Sequence, residues 1–126
     1  MKSITLKPKV EELNRLNDFI QKEFNLDNPE ITLIIEEIFV NITSYSKCNY
    51  ILTSFKLENN RFTIKFTDDG TEFNPLTVDS PELPDSIDEA KIGGLGIHLV
   101  KNIADELYYE YTDNENHLTI IKNVKL

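Results

Sequence analysis

Glu37 and Asn41, four residues apart, are the first pair in this sequence with types and spacing that could do chemistry. On a helix, residues i and i+4 lie one above the other on the same face. Glu36 points about 100° away from Glu37, since each residue turns by that angle in a 3.6-residue helix. Geometry therefore selects Glu37 as the partner of Asn41. A carboxylate beside a carboxamide can give two oxygens to a hard cation, or one general base and one metal ligand. Taken alone, an E-x-x-x-N pair is more often a solvated helix edge.

Two further stretches change that balance. Asp68-Asp69-Gly70 falls where a strand pattern runs into a loop. By itself it is a turn signal; functionally it is a carboxylate at a sheet's end, able to accept from an exocyclic amine. It does not fit an EF-hand, because aligning Gly70 with the loop glycine would put Lys65 and Thr67 at the first and third ligand positions. Gly93-Gly94-Leu95-Gly96 gathers three of the chain's four glycines just before a helical pattern. Glycines at a helix start let backbone N–H groups approach a phosphate, where the helix dipole also favours negative charge. The stretch is neither a dinucleotide fingerprint, since Leu99 stands where a third glycine is needed, nor a P-loop, since no G-K-[ST] occurs.

The elements that must position these residues follow from periodicity. Ile31, Ile34, Ile35, Ile38, Phe39 and Ile42 make one apolar stripe, predicting a helix over Glu30–Ser46 with Pro29 at its first turn. Before it, Ser3–Lys7 alternates as a short strand, and Val10, Leu13, Leu16, Ile20 and Phe24 space a helix to about Asn25. Tyr50–Leu57 and Arg61–Thr67 predict a hairpin around Asn59-Asn60, with Phe62, Ile64 and Phe66 on the buried face. Asp68–Lys91, rich in proline and acidic residues, has no period and predicts a lid-like loop over about 70–92. Leu95, Leu99, Val100, Ile103 and Leu107 predict a third helix, and Leu107–Thr112 and Leu118–Lys125 a closing hairpin around Asp113–Asn116. This order predicts a single α+β domain over 1–126, a two-layer sandwich.

Composition bounds the function. Thirteen basic against 22 acidic residues leave a net charge of −9, which argues against a nucleic-acid surface and suits a basic protein partner. The lone Cys48 cannot form an internal disulfide and reads as a small half-buried hydrophobe. The first twenty residues hold no apolar leader, and no run of about 18 apolar residues occurs, so a soluble, cytoplasmic protein is expected.

In order and spacing the three motifs resemble the GHKL ATPase superfamily, the Bergerat ATP-binding fold, and within it the small anti-sigma-factor serine/threonine-protein kinases. Glu36–Asn41 resembles the N box, Asp68–Gly70 the first glycine box, and Gly93–Ile97 the second. The resemblance implies a mostly antiparallel mixed sheet covered on one face by three helices. It implies ATP and Mg²⁺ as cofactors, with Asn41 holding the Mg²⁺ and Glu37 as the general base. Asp68 would accept from the adenine amino group, and Gly70 would let the adenine approach. Gly93, Gly94, Leu95, Gly96 and Ile97 would line the phosphates, with Lys91 the nearest cation. Thr119 matches a threonine near the adenine, or is a plain strand residue.

By the same resemblance the partners would be a sigma factor and an anti-anti-sigma protein, making this a transcription regulator without direct nucleic-acid or membrane contact. A homodimer through the first strand and helix is compatible with Ser3–Phe24, as is internal packing. The sequence departs from the family at Glu72, where a second glycine is usual, and at Tyr45, where relatives often have histidine. Its only arginines, Arg15 and Arg61, lie far from the lid in sequence. These departures keep open a nucleotide-binding module that switches partners without phosphoryl transfer.

Overall fold

The computed structural model describes residues 1–77 and 94–125. Elements run β1 (Lys2–Leu6), α1 (Glu12–Phe24), α2 (Pro29–Tyr45), β2 (Ile51–Glu58), β3 (Arg61–Asp68), a 3-10 turn (Pro75–Thr77), α3 (Gly94–Ile103), β4 (Glu106–Thr112) and β5 (Glu115–Asn123). The five strands form one sheet in the order β1-β2-β3-β5-β4. Every pairing is antiparallel, so the parallel component of the expected mixed sheet is missing among the described residues. The α+β two-layer architecture is the one expected from the sequence.

Helix α2 is the spine of the core. Asn28 caps it: its side-chain oxygen accepts from the N–H of Glu30 at 2.9 Å and of Ile31 at 3.2 Å, and Pro29 fills the first turn. All six residues of the predicted stripe are buried. Each contributes about 1.5–3 kcal/mol relative to exposure. The helix stops where Lys47 turns left-handed at φ 56° and the Ser46 N–H closes back on the Ile42 carbonyl. Against the other side of the sheet's inner face, α1 packs Phe19 and Phe24 onto Phe55, and Phe24 meets Phe62 edge-on at 5.2 Å.

Two hairpins set the register. Asn59 and Asn60 both adopt positive φ, as do Asp113 and Asn114, which is the two-residue turn matched to strand twist. The second turn is shorter than the Asp113–Asn116 loop expected from the sequence. Glu115 and Asn116 therefore already belong to β5. The third helix is also shorter than expected: it ends at Ile103, and Leu107 lies in β4. Leu99 is 41% exposed, while Ile97 and Val100 fill the core. The expected stripe was offset because Leu107 continues the apolar spacing across a break where Asp105 donates its N–H to the Ile121 carbonyl. Cys48 is free and half-buried, and burial pushes its thiol upward, as suits a packing role. Among the described residues no helix is long and apolar enough to cross a membrane.

Candidate nucleotide site

Three of the singled-out stretches meet at the C-terminal half of α2. Gly96, in the first turn of α3, lies so close to Glu37 that a Cβ there would sit 1.9 Å from Glu37 Oε2. At the C-terminal cap of α2, a Cβ on Gly70 would sit 2.1 Å from the Ser46 carbonyl oxygen. Asn41 lies between them. From Glu37 to Ser46 the helix advances nine residues, about 13 Å at 1.5 Å per residue. The three stretches are thus strung in a strip along about 13 Å of α2, from its midpoint to its C-terminal cap.

The Glu37 end is under-satisfied. Its carboxyl is half-buried, and burial pushes its pKa up, with the neighbouring Glu36 charge adding to the rise. The Asn41 side chain does not stack on the Glu37 carboxylate as a simple i, i+4 pair would. Its Nδ2 instead donates to the Glu37 main-chain carbonyl at 2.7 Å. That turns Asn41 Oδ1 away from the helix backbone, and this oxygen is buried with no hydrogen-bond partner. An orphaned buried acceptor costs about 1–3 kcal/mol, and a cation would satisfy it. Among the described residues no three His, Cys, Asp or Glu side chains gather to cage a metal. A cation here would take the Asn41 oxygen and complete its shell from phosphates and water, the habit of Mg²⁺.

The other end is densely hydrogen-bonded, although Ser46 Oγ there is also buried without a partner. Asp68 is 1% exposed, and its Oδ1 accepts from the Gly70 N–H at 2.9 Å and from Asn116 Nδ2 at 3.0 Å. Asp69 faces the opposite way and braces the turn after α2, accepting from Asn49 N, Asn49 Nδ2 and Tyr50 N. Desolvation works to raise the Asp69 carboxyl, but those hydrogen bonds outweigh it and hold it below the usual range. Thr71 donates both its N–H and its hydroxyl to the Ser46 carbonyl, at 2.7 and 3.1 Å. The Tyr45 and Phe73 rings meet at 5.5 Å.

Several sequence-derived residues fall elsewhere. Of its two readings Thr119 takes that of a plain strand residue: it lies on the sheet face away from the helices, beside Lys65 and Tyr108 in the register. Side chains alternate along β5, and Asn116, Leu118 and Ile120 are the buried set, so odd-numbered Thr119 must face outward. Asn116, not Thr119, is the β5 residue paired directly with Asp68. Sequence reasoning put Asn116 in a turn; reading Asp113-Asn114 as the same two-residue turn as Asn59-Asn60 would have found it. Gly70 is explained by the Ser46 carbonyl pressed against it, without any ligand. The Ile97 side chain is wholly buried in the core. Gly94 begins α3 and Leu95 follows in its first turn. Lys91, Gly93 and most of the lid segment lie outside the described residues. Arg15 pairs with Glu12 and Arg61 with Glu106, and His98 and Lys101 are exposed.

With this geometry in place, the comparisons give the class. The family model of the histidine kinase-like ATPase domain matches residues 9–122. This chain belongs to that family, and with it to the GHKL superfamily of ATP-binding domains. The chain is 29% identical over 94 residues to the serine/threonine-protein kinase BtrW of Bordetella bronchiseptica, a match covering 71% of this chain and 66%, just under two thirds, of that protein. The fold is shared with the Acinetobacter baumannii histidine kinase AdeS at a TM-score of 0.54 and 14% identity, covering 100% of this chain and 69% of the other.

Proposed function

We propose that this chain is an ATP- and Mg²⁺-dependent serine/threonine protein kinase that also acts as an anti-sigma factor. It would phosphorylate an anti-anti-sigma protein and sequester a sigma factor. The observation that carries the proposal is the unsatisfied end of the strip: a desolvated Glu37 carboxyl against the start of α3, one turn from an orphaned Asn41 oxygen. Phosphoryl transfer needs charge neutralisation and positioning more than covalent chemistry from the protein. In the proposed step a serine Oγ bonds to the γ-phosphorus as the bond from that phosphorus to the β,γ-bridging oxygen breaks. ADP leaves, and Glu37 takes the hydroxyl proton. Bound Mg²⁺ would neutralise the phosphate charge from Asn41. Similarity to a protein named as a serine/threonine kinase supports the same class.

Calorimetry with ATP, with and without Mg²⁺, tests the site; transfer of labelled γ-phosphate to candidate anti-anti-sigma proteins tests the kinase. Mg²⁺-dependent binding with transfer is the expected result. Binding without transfer to any such partner would favour the second reading, a nucleotide-binding regulatory module. One observation favours that reading: both arginines are engaged elsewhere, so the described residues offer no planar bidentate grip on the phosphates.

A further inference from the structure

We infer that Asn116 is a positioning residue that selects adenine, acting through Asp68; this rests on the ATP-binding reading above. Asn116 is 3% exposed, and its side-chain amide makes four hydrogen bonds. Nδ2 donates to Asp68 Oδ1 at 3.0 Å and to the Thr71 carbonyl at 2.8 Å. Oδ1 accepts from the Phe73 N–H at 2.8 Å and from the Tyr109 hydroxyl. Two donor hydrogens and two acceptor lone pairs are all an amide has, so every one is used and its orientation is determined by its partners. A flipped amide would set N–H against N–H at Phe73.

The consequence falls on Asp68. Its Oδ1 is taken by two N–H donors, Gly70 and Asn116. No hydrogen bond among the described residues uses its other oxygen. The carboxylate is therefore held with one oxygen anchored and one left to a ligand, and that oxygen is acceptor-only. It matches an exocyclic amine and repels a carbonyl oxygen at the same position, which is the difference between adenine and guanine. The same amide ties down the Thr71–Phe73 backbone, so the wall of the base pocket and its recognition group are set by one side chain. The position is on β5 opposite Asp68, in the register that also puts Leu118 and Ile120 in the core. Asn116 touches neither the Glu37 end nor the Asn41 oxygen, so its influence is confined to the base.

The test is calorimetry on the full chain and on Asn116→Ala, with Mg·ATP, Mg·GTP and Mg·tripolyphosphate as probes. Losing a hydrogen bond to a charged group weakens binding by roughly 10- to 100-fold. The expected result is a loss of that size for ATP, a narrowed ATP-over-GTP preference, and unchanged tripolyphosphate affinity. Equal losses for ATP and tripolyphosphate would mean a merely structural role and overturn the inference, as would an unchanged ATP affinity. Tyr109→Phe removes a single partner of the amide and keeps the test intact if the alanine variant does not fold. It should weaken ATP by a few-fold and leave tripolyphosphate alone; no change in ATP affinity counts against the inference. Wild-type protein that binds tripolyphosphate but no ATP or GTP would instead sink the nucleotide reading, a different outcome from either of these.

Discussion

The two ends of the strip along α2 are built on opposite principles. At the Asp68 end, Ser46 Oγ is buried without a partner, but the Asn116 amide is fully used in bonds to Asp68, Thr71, Phe73 and Tyr109 and holds that wall in place. At the Glu37 end, an acceptor is buried without a partner and a carboxyl is lifted by desolvation. A saturated network rigidifies and specifies; an unsatisfied one stores a cost that a ligand relieves. Under the proposed function, the contrast would separate recognition from reaction within a single helix's length.

The largest expected effect breaks the reactive end. Glu37→Gln should lower phosphate transfer by about 10²–10⁴-fold, the usual worth of a general base, while ATP affinity measured by calorimetry stays near wild type. The same variant sharpens the pH argument. A carboxyl whose folded pKa is raised penalises the folded state when ionised, so the penalty is absent below the ordinary value and grows as pH rises through the raised one. Glu37→Gln should therefore be more stable than wild type at neutral pH, with the difference closing on acidification. A constant offset in thermal midpoint across pH would show that Glu37 is not desolvated.

The next effect sets two glycines against each other. Both would place a Cβ within about 2 Å of a neighbour, but the neighbours differ. At Gly70 the obstacle is the Ser46 backbone carbonyl, which cannot move cheaply, and Gly70→Ala should destabilise by about 1–3 kcal/mol or more in denaturant melts. At Gly96 it is the end of the flexible Glu37 side chain. Gly96→Ala should leave stability level or slightly raised, by up to about 1 kcal/mol from reduced chain entropy, yet displace the carboxylate and cost transfer. Equal stability losses in the two variants would end the contrast.

Asn41→Ala should change stability little, because the one hydrogen bond lost is balanced by removing an orphaned acceptor. It should abolish the Mg²⁺-dependent part of ATP affinity. An ATP affinity equally sensitive to Mg²⁺ in the variant would remove Asn41 from the cation site. The smallest effect is at Tyr45, whose ring pairs with Phe73. Tyr45→Leu should cost about 0.5–1.5 kcal/mol, read as a modest fall in thermal midpoint.

What was legible in the sequence follows the same division. The stripe from Ile31 to Ile42 and the alternation of Phe62, Ile64 and Phe66 were plain, because helix and strand periods are local. Glu37 in preference to Glu36 followed from helical geometry, and the structure puts Gly96 against Glu37. Asn116 was not legible, because its importance comes from cross-strand pairing to a residue 48 positions away. Of the two readings open for Thr119, the plain strand residue is the one its parity with buried Leu118 and Ile120 supports. Nor could spacing show that Asn41 bonds back to a main-chain carbonyl, which is what leaves its oxygen free.

Asp68 and Asp69 are chemically identical neighbours with divergent duties, one buried against Gly70 and Asn116 and one turned outward to brace Asn49 and Tyr50. Only the pleat of β3 decides between them, and the pleat is counted from the Asn59-Asn60 turn at the strand's far end. Lengthening that turn by one residue and slipping the strand would turn Asp68 outward together with Phe62, Ile64 and Phe66. The hairpin tip thus counts for the core and the carboxylate together, and a slip there would be felt as lost fold as much as a misplaced Asp68.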